Sequence, residues 1–187
     1  PTQTKRTAEM DEFQQFSTVP PLAFMANWAA NLRPGDVYLE PSAGVGGMAI
    51  FGQIAGAKVY VNELSKRRAN LLKALGGFAS VFTENAEQLN NTLPVEVQAD
   101  VVVMNPPFSA TAGRISGSRD TNNATVHIEQ ALKRLNPGGR LVAIVGECMA
   151  DDRPAFRAWW ARMKQTYAVR ANIGVSGAEY AKYGTTF

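Results

Sequence analysis

Residues 37–47 read VYLEPSAGVGG. The apolar start, Val37 to Leu39, predicts a short strand, and the small-residue loop after it leads to a helix beginning near Gly47 or Met48. The same order recurs downstream. KVYVNEL (58–64) reads as a strand, SKRRANLLKALG (65–76) as a helix and ASVFTENA (79–86) as a short strand. ADVVVMNPPF (99–108) is an apolar run suited to the centre of a parallel sheet. Further on, VHIEQALKRLNPGG (126–139) predicts a helix stopped by Asn136, Pro137 and Gly138, and RLVAIVGE (140–147) a strand. RPAFRAWWARMKQT (153–166) predicts a helix with the stripe Phe156, Trp159, Trp160 and Met163, and YAVRANIGV (167–175) a sixth strand.

Upstream, PPLAFMANWAANL (20–32) predicts a helix entered through Pro20 and Pro21, with Leu22, Met25, Ala26 and Ala29 as its apolar face. Alternating strands and helices imply an α/β fold with a mainly parallel, Rossmann-like sheet flanked by helices, as one domain over 1–187. The polar, Gly/Ser/Thr-rich stretch 109–125 reads as a loop.

The 187 residues are 45% hydrophobic and carry a formal charge of +3, which fits a globular domain and permits a nucleic-acid partner without requiring one. One cysteine excludes an intrachain disulfide; Cys148, after an apolar run, reads as a buried structural thiol. One histidine builds no histidine-rich metal site, so no metal is expected. No run is apolar enough for a membrane span, and PTQTKRTAEM is unlike a signal peptide, so the expected setting is cytoplasmic, with no membrane.

Gly44, Gly46 and Ala49 fall at the spacing of a dinucleotide fingerprint, and Glu63, ending the next strand, stands where a ribose-binding acid belongs. Glu40 points elsewhere. A carboxylate at the end of the first strand, before Pro41, Ser42 and Ala43, suits a cationic ligand better than a diphosphate. The competing reading is a generic strand-turn-helix unit with solvated acids.

A parallel sheet would bring the 44–46 loop, Glu63 and Asn105 to one rim. Asn105 and the Pro106 carbonyl supply acceptors, Pro107 stiffens the turn, and Phe108 offers an aromatic face. That device suits an exocyclic amine on a planar ring: the acceptors take its hydrogens and accommodate the charge that develops when its nitrogen attacks. A tight proline turn capped by a core phenylalanine is the alternative.

With these motifs in hand, the chain resembles the class I S-adenosylmethionine-dependent amino-methyltransferases that carry an Asn/Asp-Pro-Pro-aromatic motif. The order FSTVPPLAFMANWA, LEPSAGVGG, MNPPF looks like that of the DNA adenine-N6 methyltransferases. QQFSTVPPLAF is also similar to methyltransferase-like domains of strawberry-notch-type phage and plasmid antirestriction helicase proteins. The resemblance implies that Phe16, Ser17 and Thr18 hold the methionine part of the cofactor. Glu40, Pro41, Ser42, Ala43, Gly44 and Gly46 would form the cofactor loop, with Glu63 on the ribose and Leu64 beside the adenine. Asn85 and Ala86 would lie near the adenine amino group, where the family often places an acid. Asn105 and Pro106 would orient the amine, Asn105 also touching the cofactor, and Phe108 would stack on the base.

The implied cofactor is S-adenosylmethionine and the first acceptor DNA adenine. An RNA base or a protein glutamine amide are further acceptors, and a catalytically inactive cofactor-binding or interaction module is the reading from another class. The chain stops where the family adds a seventh strand and a recognition region, so a fragment or module of a larger protein, with a recognition or helicase domain elsewhere, is expected. Arg114, Arg119, Lys133, Arg134, Arg153, Arg157, Arg162 and Lys164 read first as solvated faces and second as phosphate contacts. His127 reads as a cap, a loop contact or a solvent-facing residue.

Overall fold

A computed structural model describes residues 17–107 and 123–181. These fall into two compact units, one holding the described residues up to Ile144 and the other those from Val145.

The first unit alternates helix and strand: α1 (Pro20–Ala29), β1 (Val37–Glu40), α2 (Ala49–Ile54), β2 (Lys58–Asn62), α3 (Lys66–Leu75) and β3 (Ser80–Phe82). A 3-10 turn (Ala86–Gln88), α4 (Leu89–Thr92), β4 (Ala99–Met104), α5 (Asn123–Leu132) and β5 (Leu135–Ala143) complete it. All strand pairs are parallel, in the order β3-β2-β1-β4-β5. Leu39 lies opposite Tyr60, Tyr38 opposite Val101, and Met104 opposite Ala143. The α/β sheet expected from the alternation is therefore present. From β1 the chain steps outward to β2 and β3 and then returns to β4 on the other side of β1. The reversal of strand order falls between β1 and β4, and open α/β sheets bind their ligands outside the carboxyl ends of the strands at that point.

Tyr38, Val59, Val61, Val101 and Val103 of the sheet pack with Ala23, Ala26 and Ala30 around α1 and with Met48 and Ala49 at the head of α2. This corrects the apolar face expected for α1. Met25 is 47% exposed and Ala29 also faces out, whereas Leu22, Ala23, Ala26 and Asn27 are buried. Helical periodicity admits either phase. Small residues allow α1 a close approach, and Asn27 Nδ2 reaches the carbonyls of Ala23 and Met48 at 2.8 and 3.3 Å.

Three other expectations change. Helix α5 ends at Leu132, ahead of the Asn-Pro-Gly sequence, which lies inside the irregular start of β5. Arg134, expected on a solvated face, is only 3% exposed, and its guanidinium donates to the carbonyls of Asn90, Leu93, Pro94 and Val97. Those acceptors offset its desolvation and bind the end of α5 to the segment before β4. His127 is also buried, at 6%; burial pushes its imidazole below its ordinary pKa, with Glu87 acting in the opposite direction.

The second unit has 3-10 turns at Glu147–Met149 and Pro154–Phe156, α6 (Arg157–Thr166) and α7 (Ala178–Ala181). Phe156 and Met163 are buried, while Trp159 and Trp160 are half-buried and meet edge to face at 4.8 Å. Trp160 Nε1 donates to Met149 O at 2.7 Å, and Lys164 pairs with Asp151. Arg153 pairs with Glu147. Tyr167–Val175 is not the predicted sixth strand: it is not in strand conformation, has no ladder partner among the described residues and is almost wholly exposed. Cys148 is exposed, against the expectation of a buried thiol, because β5 ends at Ala143 and the cysteine falls in the following turn. No helix among the described residues is long and apolar enough to cross a membrane.

Candidate functional site

Glu40 is the last residue of β1 and is 1% exposed. It accepts a hydrogen bond from the Ala49 backbone N–H, while Oε2 has no partner among the described residues. Burial, assisted by the nearby charge of Glu63, raises its pKa well above the usual carboxyl range; the Ala49 N–H acts in the opposite direction. A carboxyl group kept from water with one oxygen unpaired fits a cationic partner.

Pro41, Ser42, Ala43, Gly44 and Gly46 form the turn between β1 and α2. Gly44 and Gly46 have φ of 59° and 85°, a region that favours glycine. A Cβ at Gly46 would come within 3.0 Å of Leu72 Cδ2, so this glycine also permits the loop to press on α3. Glu63 follows β2 and is 8% exposed. Its two oxygens accept from Gly44 N and Ser65 N, each at 2.8 Å, so the acid expected at the ribose also clamps the glycine loop to the head of α3. Leu64 beside it is 48% exposed, the surface an aromatic ring can use. Asn85 is exposed, and its Oδ1 accepts from Glu87 N at 3.0 Å, capping the 3-10 turn in which Ala86 is buried.

Asn105 leaves β4, the neighbour of β1, at the same rim. Its Nδ2 donates to Thr18 Oγ1 at 2.9 Å, and its Oδ1 is buried with no partner among the described residues. Pro106 is buried, Pro107 half-buried, and Ser17 exposed beside the half-buried Thr18. Phe16 and Phe108 lie outside the described residues, as do Arg114 and Arg119. The structure thus brings Thr18, Glu40, Gly44, Glu63 and Asn105 to the carboxyl ends of adjoining strands.

Asn62 is the residue that sequence reasoning missed. It is 1% exposed; its Nδ2 donates to Pro41 O and Glu84 O, both at 3.0 Å, and its Oδ1 accepts from Glu84 N at 2.8 Å. One amide therefore joins the exits of β1, β2 and β3 beneath the glycine loop. The only sequence signal was a polar residue at the end of an otherwise apolar strand. Among the described residues no group of three or more His, Cys, Asp or Glu side chains is arranged to hold a metal ion.

The fold is the α/β fold of the class I methyltransferases. TrmN from Thermus thermophilus is similar over 71% of this chain and 40% of its own, with 24% identity and a TM-score of 0.56. The methyltransferase subunit of a type I restriction-modification system from Streptococcus thermophilus is similar over 73% of this chain and 35% of its own, with 16% identity and a TM-score of 0.60. An rRNA methylase from the same species matches over 79% and 81%, with 16% identity and a TM-score of 0.51. This chain therefore spans less than half the length of the first two proteins. No protein-family model matches the sequence, and no curated protein matches it.

Proposed function

We propose that this chain is an S-adenosylmethionine-dependent N-methyltransferase module acting on an exocyclic amino group, with adenine N6 in DNA as the first acceptor. The observation that carries the reading is a pair of unpaired acceptors on adjoining strands at the switch point: Glu40 Oε2 after the glycine turn and Asn105 Oδ1 at the exit of β4. Glu40 would face the positive end of the cofactor. Glu63 and Gly44 would receive the ribose, with Leu64 against the adenine, Asn85 and Ala86 near its amino group, and Ser17 near the methionine part.

S-adenosylmethionine would supply an electrophilic methyl group on a sulfonium: the carbon–sulfur bond would break with its electron pair left on sulfur, the carbon–nitrogen bond would form, and the amine proton would pass to water. The chain's part is orientation. Asn105 Oδ1 and the Pro106 carbonyl accept the amine hydrogens, turn the nitrogen lone pair out of conjugation and meet the positive charge as it develops. Phe108 would stack on the base. We place the reaction in the cytoplasm, with recognition of the polymer supplied by a further domain or partner.

The other reading, carried by the resemblance of QQFSTVPPLAF, is a cofactor-binding module of an antirestriction assembly that transfers nothing by itself. Calorimetric titration with S-adenosylmethionine, followed by transfer of labelled methyl to unmethylated DNA, RNA and protein pools, separates the two. Binding with label in DNA adenine is expected; label only in RNA or protein moves the acceptor, and absence of binding ends both readings. Glu63→Ala should weaken binding about tenfold or more, since hydrogen bonds to a charged acceptor are lost.

A further inference from the structure

We infer that Thr18 is a positioning residue that sets which end of the Asn105 amide faces the acceptor amine, an inference that rests on the amine-transfer reading above. The two ends of an asparagine amide have nearly the same shape and opposite hydrogen-bonding character. If oxygen faces the amine, it accepts an N–H; if nitrogen does, two donors confront each other. What holds the useful orientation is a contact 87 residues away in sequence: Nδ2 of Asn105 donates to Thr18 Oγ1 at 2.9 Å. With the nitrogen end occupied, Oδ1 is left buried and without a partner among the described residues.

Thr18 is itself held. The next residue, Val19, is 4% exposed and extended (φ −64°, ψ 140°), as required before a proline, and its carbonyl accepts from Ala23 N at 3.0 Å. Pro20 and Pro21 then open α1. The Thr-Val-Pro-Pro sequence is a stiff lead-in that delivers one hydroxyl to the exit of β4. This gives Thr18 a role toward the acceptor in place of the cofactor contact that the resemblance implies.

The test uses the full chain, labelled with nitrogen-15, as wild type, Thr18→Val and Thr18→Ser. Valine keeps the shape of threonine and removes the hydroxyl; serine keeps the hydroxyl. In wild type and Thr18→Ser, hydrogen exchange at the Asn105 side-chain amide should be protected. Thr18→Val should lose about tenfold of that protection, the worth of one hydrogen bond. With S-adenosylmethionine and the best-accepted pool, Thr18→Val should lower kcat about tenfold at unchanged cofactor Kd, and Thr18→Ser should restore it. Unaltered Asn105 protection in Thr18→Val overturns the inference. So does a weakened cofactor Kd at unchanged kcat, which would return Thr18 to the cofactor. If the wild type transfers methyl to no pool, the proposed function fails, and the exchange measurement still decides whether Thr18 holds the amide.

Discussion

Asp100 at one rim of the sheet and the pair Glu40 and Asn105 at the other differ in how their oxygens are satisfied. Around the amino ends of β1 and β4, Asp100 accepts from Val37 N at 2.9 Å and from Asn136 Nδ2 at 2.8 Å. Nearby, Arg140 donates to Ala30 O at 2.8 Å and pairs with Asp36 at 2.6 Å. At the carboxyl ends of the same two strands, Glu40 and Asn105 each keep a buried oxygen without a partner among the described residues. A buried acceptor left empty costs about 1–3 kcal/mol. Arg134 Nε, beside the start of β4, is also buried without a partner among the described residues, and Asn62 at the other rim is paired at both ends of its amide, so the contrast lies between the Asp100 carboxyl and the Glu40 and Asn105 oxygens. On the proposed function, a ligand would complete the hydrogen bonding of Glu40 and Asn105 at the carboxyl-end rim, and Asp100 would be structural.

The sharpest way to break this contrast is Asn105→Ala. If the empty oxygen serves transfer, the rate should fall on the order of a hundredfold or more while affinity for S-adenosylmethionine stays within about twofold. Retained transfer to the nucleic-acid pools would make the unpaired amide an ordinary loop residue.

Glu40→Gln tests the same rim through the cofactor. The raised pKa means that the folded chain holds the Glu40 proton more tightly than the unfolded chain. The contribution of this group to stability is full below the ordinary carboxyl range and is lost as pH rises through it toward the raised folded value. Glu40→Gln should therefore flatten the fall in stability above that range in chemical denaturation. It should also weaken cofactor binding about tenfold, a consequence of removing one charged partner. A gain in stability without a loss in binding would leave Glu40 as a structural group only.

The smallest effect is expected at the other rim. The Val37 N–H, then Asn136 and to a lesser degree Arg140, hold the Asp100 carboxyl below its usual pKa against the opposing effect of burial. Its contribution is present above the unfolded pKa and disappears as pH falls through the lowered folded value. Asp100→Asn should cost about 1 kcal/mol at neutral pH and little in strong acid, with cofactor affinity and transfer unchanged. A loss of cofactor affinity in Asp100→Asn would erase the division between the rims.

The sequence carried the fold well where burial is two-sided. A strand such as VVVM at 101–104 is apolar on successive residues because both faces of the sheet are covered, and that pattern survives in one dimension. It failed where a partner decides the outcome. Tyr167–Val175 has the apolar alternation of a strand and no ladder among the described residues, and α1 offered two possible apolar faces of which packing chose the one built from small residues. In the site, Glu40, Gly44, Glu63 and Asn105 were legible because each falls at a strand exit or in a glycine turn.

By itself, then, the sequence determined the alternation of strands and helices and the chemistry delivered to the strand ends, since both depend on local spacing. Only the tertiary structure decided that β1 and β4 are neighbours, that Asn62 ties three strand exits, and that Thr18 meets Asn105. Those pairings join residues far apart in the chain, and no local pattern records which hydrogen bonds the folded core will leave open.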